Sequence, residues 1–439
     1  MRIRTIVSAL AVVLLASACG NSEGSSGTGN TDDDGNGNNT STDGEVVAVD
    51  APGVTDDEIR VTGIAAITNP LGADYASAAD GVNAYFAMVN EDGGVHGRDL
   101  VLSELRDDKV ANNTAEAKGI ADADDAFAVL PVATLLFTGA DTLVEAGIPT
   151  FGWTINPEWE GTEENPKANL FGQAGSYLCL GCPQPYPPYI AERSDRSKVG
   201  LLAYSVPQSA TCAEGWKRSI EEWGGPAGAE VVFTDSSLAY GTTDLSVQVQ
   251  KMSEAGVDLV MTCMDNNATV TLAKEMKKQG LDAIQLLPNA YNQEFFEEFG
   301  DLFEGSYVII GYSPLETPED LRPEGLELFE EWIDRTGGKK TENSMVGWLN
   351  ASAFVEALVA AGPDFDRQKV IDALNEMTDQ NAMGMLPGTD WVNYGHTARE
   401  PDPCAVYLEI VDGKMEPVEQ DEIFTCFDVT GDELVRIER

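Results

Sequence analysis

The stretch "VNEDGGVHGRDLVLSELRDDK", residues 89–109, ends a helix, turns on glycines, launches a strand and closes on two acids. Gly93 and Gly94 permit a positive φ at the helix end, and Gly97 lets the chain reverse into the strand. Upstream, Val82, Phe86 and Val89 fall on one helical face, and "EIRVTGIAAI" (58–67) reads as the preceding strand. The cycle recurs downstream at "AFAVLPV", "IPTFGW", "KVGLLAY", "AEVVFTD", "DLVMTCM" and "AIQLLPN", with amphipathic helices between. For the helix over 244–255, Thr242 and Thr243 are the expected caps, Leu245, Val249 and Met252 the buried face, and Gly256 the stop. Strands alternating with helices imply parallel sheets. The rhythm breaks at "GQAGSYLCLGCPQPYPP" (172–188), which divides the cycles into two sets. The expected fold is α/β, with two doubly wound parallel-sheet lobes facing a cleft.

The N-terminus reads as a targeting segment. Arg2 and Arg4 precede an apolar run from Ile6 to Ala16 that is too short to span a bilayer, and Ala16-Ser17-Ala18 offers small residues for cleavage before Cys19. The arrangement resembles the lipobox of bacterial lipoproteins, with Leu15 one place further from the cysteine than that pattern prefers. It implies a signal peptide over 1–18 and a lipidated Cys19. Residues 19–56 are mostly Gly, Ser, Asn, Thr and Asp, too polar to fold, and are expected to form a disordered tether. No second stretch reads as a membrane span, so the membrane is reached through the N-terminal lipid only.

Lys plus Arg number 27 against 74 Asp plus Glu, a net charge of −47, and loss of Arg2 and Arg4 takes it to −49. Such a field repels phosphate backbones and anionic headgroups and excludes a nucleic-acid partner. The length after the tether suffices for two lobes with full cores.

The glycine turn of 89–109 with its Asp107-Asp108 loop resembles the first lobe of the type I periplasmic (extracytoplasmic) solute-binding proteins of ABC transporters, branched-chain amino acid class. "YGTTDLSVQVQKMSEAGVDLVMTC" (240–263) is similar to the family's entry into a second-lobe helix, and "GSYVIIGYSP" (305–314) to its return to the first lobe. The order of these motifs covers residues 54–435. The resemblance implies a monomeric, lipid-anchored receptor on the outer face of the bacterial cell membrane. Such a receptor captures a small polar solute between its lobes and delivers it to ABC transporter permease subunits, without a cofactor. Lobe 1 is expected over 57–172 and 308–395 and lobe 2 over 173–307 and 396–439. Crossovers are expected near Gly172–Pro188, Ser306–Gly311 and Thr389–Asp402. A ligand sensor reporting to a membrane signalling partner is the alternative, though a sensor would normally continue into a transmembrane or signalling segment. An α/β enzyme ranks third: no dinucleotide fingerprint, phosphate loop, HExxH or GxSxG motif is present.

In open parallel sheets, ligands meet the loops after the strand C-termini. On the family resemblance, the loops "PVATLL" and "GWTINPEW" place Ala133, Thr134, Thr154 and Asn156 around a ligand carboxylate, although Thr134 and Thr154 also suit helix caps. Trp153, Tyr204, Tyr291 and Tyr312 are candidate walls, or core packing. The second-lobe loops lack the family's usual acid for an ammonium: one reads Asn289-Ala290-Tyr291-Asn292. Asp265 or Asp74, next to Tyr75, could take its place, and amides, ureas, small carboxylates and aromatic acids stay open as ligands. His96 and His396 read as isolated loop residues, not metal ligands.

Six further cysteines in an extracellular chain point to disulfides, with fifteen connectivities open. The favoured pairs are Cys179–Cys182, Cys212–Cys263 and Cys404–Cys426. The anchor is tested by Cys19→Ser, which is expected to move the protein from the membrane fraction to the soluble one. Unchanged fractionation would refute it.

Overall fold

The computed structural model describes residues 46–173, 175, 178–394, 396 and 403–438. The signal peptide, Cys19, most of the tether and parts of the first and third crossovers lie outside the described residues. Strands and helices run in order through β1 (Glu58–Ala65), α1 (Ala78–Glu91), β2 (Asp99–Asp107), α2 (Asn113–Ala123), β3 (Ala128–Ala133), α3 (Ala140–Glu145), β4 (Thr150–Gly152) and β5 (Leu170–Gly172). A second series follows with α4 (Tyr186–Arg193), β6 (Lys198–Tyr204), α5 (Pro207–Trp223), β7 (Glu230–Leu238), α6 (Ser246–Ala255), β8 (Leu259–Cys263), α7 (Asn266–Gln279), β9 (Ile284–Leu287), α8 (Gln293–Phe299) and β10 (Tyr307–Ile310). Then come α9 (Glu324–Thr336), α10 (Glu342–Ala361), α11 (Arg367–Asn375), α12 (Trp391–Tyr394), β11 (Cys404–Val411), β12 (Lys414–Pro417), β13 (Thr425–Asp428) and β14 (Val435–Ile437).

The first sheet is parallel, in the order β2-β1-β3-β4-β5. The second has β6 to β10 parallel in the order β7-β6-β8-β9-β10, and continues through β11 and β13 to β14. Its outer part is antiparallel, because β11 turns back along β10 and carries β12 and β13 by hairpin-like pairing. Residues 308–310 therefore belong with the second sheet, not with the first lobe as expected, and the chain leaves that sheet only after Ile310. The strand order reverses between β1 and β3 in one sheet and between β6 and β8 in the other. Each reversal opens a crevice at the strand C-termini.

All three expected cysteine pairs are present: Cys179–Cys182, Cys212–Cys263 and Cys404–Cys426. Cys212 lies in α5 and Cys263 ends β8, so that pair staples a helix to the strand beside it. Cys404 and Cys426 stand opposite each other across β11 and β13.

Several local expectations give way. The folded unit begins at Val46, earlier than Asp57, because buried Arg98 donates to the carbonyls of Val47 (2.8 Å) and Thr55 (2.7 Å) and holds that segment down. Helix α6 starts at Ser246, with no cap from Thr242 or Thr243; the Asp244 carboxylate accepts from the Ser246 N–H at 3.0 Å. His96 is half-buried, stacked on Phe365 at 5.8 Å with Nε2 3.1 Å from the Leu358 carbonyl. His396 is buried beside Trp391 and Phe171, with Nε2 2.7 Å from Asn375 Oδ1, and burial lowers its pKa to about 4. Helix α10 is long and apolar enough to cross a membrane, contrary to the sequence reading, but 78% of that stretch is buried inside the fold. A helix apolar on all sides is a core helix.

Helix α10 packs on α1 with backbone against backbone. A Cβ on Gly81 would stand 1.7 Å from the Ser344 carbonyl oxygen, and one on Gly347 would stand 2.0 Å from that of Ala78. Neither partner is a flexible side chain, so a methyl group forces the helices apart. Gly347→Ala is expected to lower stability by about 1–3 kcal/mol, as overpacked cores do, measured by denaturant unfolding. A midpoint equal to wild type would contradict this packing.

Candidate functional site

The loops at the two strand-order reversals carry most of the expected site residues. From the first sheet come residues 66–75 after β1, Ala133-Thr134 at the end of β3, and Trp153 to Asn156 after β4. From the second come Tyr204 at the end of β6 and Asp265 after β8. The two sets meet. Asn267 Nδ2 donates to the Leu71 carbonyl, and Gln208 Nε2 donates to that of Leu135 at 3.2 Å. Tyr75 packs on Trp153 at 6.3 Å, Tyr204 on Tyr240 at 5.2 Å, and the Tyr75 hydroxyl lies within electrostatic reach of Tyr240, Glu342 and Asp265. Burial, reinforced by those neighbours, raises the Tyr75 hydroxyl far above its ordinary range. It is held as a neutral donor.

Three lobe-one side chains stand out. Thr134, Thr154 and Asn156 are buried to 0%, 1% and 1% exposure, and Thr134 Oγ1, Thr154 Oγ1 and Asn156 Nδ2 have no hydrogen-bond partner within the chain. Asn156 precedes a short 3-10 turn over Pro157–Trp159 but makes no side-chain cap to it. A buried polar group without a partner costs about 1–3 kcal/mol, so these three are chemically suited to an outside acceptor. Ala133 sits among them with its carbonyl engaged by the Ala66 N–H at 2.9 Å.

The other expected residues divide. Tyr204 is buried and donates to the Asp265 carboxylate; burial first, and that bond after it, raise the pKa of the hydroxyl. Asp265 caps α7, accepting from the N–H groups of Asn267 (2.9 Å) and Ala268 (3.3 Å). Asp74 is exposed and ion-paired with Lys339, so its charge is already matched. Asn289 is exposed at the loop tip. Tyr291 is buried, but its hydroxyl donates to Glu316 (2.9 Å) and accepts from the Leu315 N–H (2.7 Å), which ties a loop to the segment after β10. Tyr312 lies edge-on to it at 5.9 Å, buried, with its hydroxyl unpartnered.

Two residues were missed. Tyr240 opens the very "YGTTDL" stretch singled out for its helix entry, where an aromatic before Gly241 was the available signal. Glu342 occupies the first turn of α10, behind a capping box in which Thr341 Oγ1 accepts from the Ser344 N–H at 3.1 Å. Locally it reads only as an acid favouring a helix N-terminus. It keeps part of its surface accessible while protein surrounds it, as a side chain lining an enclosed cleft does, and desolvation raises its pKa to about 8.

A folded-state pKa above the unfolded value means the native protein holds a proton that the unfolded chain releases. The stability from neutral Glu342 is therefore complete below about pH 4.5 and lost as the pH rises towards about 8. Glu342→Gln is expected to flatten that decline, measured as melting temperature against pH. An unchanged slope between pH 5 and 8 would place the carboxyl in water.

A family model described as periplasmic binding protein matches residues 58–411. No curated protein matches the chain. Solved structures share the fold. One is a branched-chain amino acid ABC transporter from Thermus thermophilus with bound valine, 19% identical, covering 83% of this chain and 96% of its own, with a TM-score of 0.66. Another is a fatty acid ABC transporter substrate-binding protein from Thermomonospora curvata, 18% identical, covering 84% and 93%, with a TM-score of 0.62. A third is an ABC transporter solute-binding protein from R. palustris in complex with 4-hydroxybenzoate, 17% identical, covering 83% and 96%, with a TM-score of 0.62. With two sheets meeting at their strand-order reversals, and a family model spanning most of the chain, this protein belongs to the periplasmic binding protein family, whose members bind solutes and are not enzymes.

Proposed function

We propose that this protein is an extracytoplasmic receptor for an ABC transporter, anchored to the cell membrane by a lipid on Cys19. It captures a small carboxylate-bearing solute between its lobes and presents the closed form to the permease. The observation that carries the reading is the trio of buried, unpartnered polar atoms on Thr134, Thr154 and Asn156. They follow β3 and β4, beside the Leu135 carbonyl that Gln208 engages from the other sheet. Two hydroxyls and an amide N–H supply the donors a desolvated carboxylate requires. Valine, fatty acids and 4-hydroxybenzoate, the compounds named for the solved neighbours, have a carboxylate in common.

Closure follows from the same contacts. The bonds from Asn267 to Leu71 and from Gln208 to Leu135 exist only when the two sets of loops meet, so a solute touching both favours the closed form by its differential affinity. That form differs in shape from the open one, which is what a permease can read.

Calorimetry with a carboxylate solute identified by native mass spectrometry tests the donors. Thr154→Ala is expected to weaken binding about fivefold, corresponding to about 1 kcal/mol for one neutral hydrogen bond. Small-angle scattering should show compaction on saturation. Unaltered affinity in both Thr134→Ala and Thr154→Ala, or conversion of the solute into product, would overturn the reading.

A further inference from the structure

Two amides on helices of the second sheet reach backbone carbonyls on loops of the first. Gln208 is the second residue of α5 and Asn267 the second of α7. They donate to the carbonyl of Leu135, after β3, and to that of Leu71, after β1. Both leucines are buried, at 5% and 6% exposure, so each acceptor is held at a set depth. The donors are held too. Asn267 gives its own N–H to the Asp265 carboxylate at 2.9 Å in the α7 cap, and Gln208 follows Pro207, whose ring fixes φ at the start of α5. The loop that carries Leu71 is built around one side chain. Asn69 Nδ2 donates to the carbonyls of Ala66 (3.0 Å), Ile67 (3.3 Å) and Ala73 (2.9 Å), and its Oδ1 accepts from the N–H groups of Leu71 (3.0 Å) and Ala73 (3.3 Å). Thr68 ties the same loop to Asp107 through its N–H (3.0 Å) and its hydroxyl (2.6 Å).

Resting on the reading of two lobes that close on a solute, we infer that Asn267 and Gln208 are positioning residues for closure. They form two clasps that set how much of the protein is closed before a solute arrives, and so scale its affinity for every solute alike. Each bond joins protein to protein, so neither depends on the chemistry of the solute. On opening, water replaces the lost partner, and the net worth of such a bond is about fivefold in an equilibrium. A clasp of that size populates the closed form without locking it. A receptor whose competent form is only fractionally populated binds more weakly by that fraction, so losing a clasp weakens all solutes by one factor. Thr134, Thr154 and Asn156 would then select the solute, while the two amides set the strength of capture. The clasps sit on different helices and different loops and act independently. Asn69 and Asn267 belong to the same clasp, one shaping the acceptor and the other supplying the donor.

Pulsed EPR on the full protein, dialysed free of solute, tests the clasps directly. Spin labels on unnatural residues at exposed Ala146, after α3, and Val247, in α6, leave the disulfides intact. The wild type is expected to show two label separations, closed and open. Asn267→Ala and Gln208→Ala should each lower the closed-to-open ratio about fivefold, and the double variant about 25-fold, as independent sites do. Asn69→Ala should act like Asn267→Ala and add little to it. Neither amide side chain is buried, so the unfolding midpoints of these two variants should stay close to wild type. In calorimetry with valine, hexanoate and 4-hydroxybenzoate as probes, those that bind should weaken by a common factor in a given variant. A wild type without a closed form, a ratio that the double variant leaves unchanged, or factors that differ between probes overturns the proposal and leaves solute capture standing. Clasps that shift the ratio as expected in a protein that takes up no carboxylate would instead refute the solute reading, and with it the effect on affinity.

Discussion

The site depends on a contact between two helices that lie far apart in the chain. Helix α10 lies against α1 so closely that Gly81 meets the Ser344 carbonyl and Gly347 meets that of Ala78, with no space for a side chain at either point. This approach sets where the start of α10 falls. Thr341 Oγ1 comes within 2.9 Å of Ser77 Oγ, and Asn343 donates to the Asp74 carbonyl at 3.2 Å. Glu342, between them, is thereby set in the cleft beside Tyr75. The depth of the helix makes this placement firm, because Trp348, Leu349, Ala351, Ala353, Phe354 and Leu358 are all fully buried. Fully burying a large apolar side chain contributes about 1.5–3 kcal/mol, so the core overrides the cost of desolvating one carboxyl.

Unpartnered polar atoms occur elsewhere in the fold. The indole N–H groups of Trp159 and Trp348 and the Gln285 oxygen are also buried without partners. Position separates Thr134, Thr154 and Asn156 from these: they follow consecutive parallel strands at the edge where the second sheet's loops arrive. On the proposed reading, an acceptor bound at these atoms would restore the hydrogen bonds that the fold forgoes and so couple binding to stability.

An excess of 47 acids over bases raises the local concentration of cations near the surface. Among the described residues, no Lys or Arg pairs with Asp265 or Glu342 in the cleft. Asp74 shows the contrast, since Lys339 neutralises it in the open, where screening makes such a pair worth little.

Much of this protein was legible in its sequence. Short apolar runs marked the strands β1 to β4 and β6 to β9, since a parallel strand buried on both faces needs a continuous apolar run. Thr134, Thr154 and Asn156 came from the resemblance of their loops to the family's, and the structure buries them after β3 and β4. The even count of cysteines gave pairs that the fold brings together. Those features are local, or follow from the order of local elements. Glu342, Tyr240 and the pairing of Asp74 with Lys339 are not, because each depends on which distant segment packs alongside. The sequence around Glu342 is that of any capped helix start, and the assignment of β10 to the second sheet turned on β11, a strand some hundred residues further on. By itself the sequence determined the elements and their alternation. Only the tertiary structure decided which acids and rings share the cleft, because side chains from remote helices meet there through close packing that no local pattern encodes.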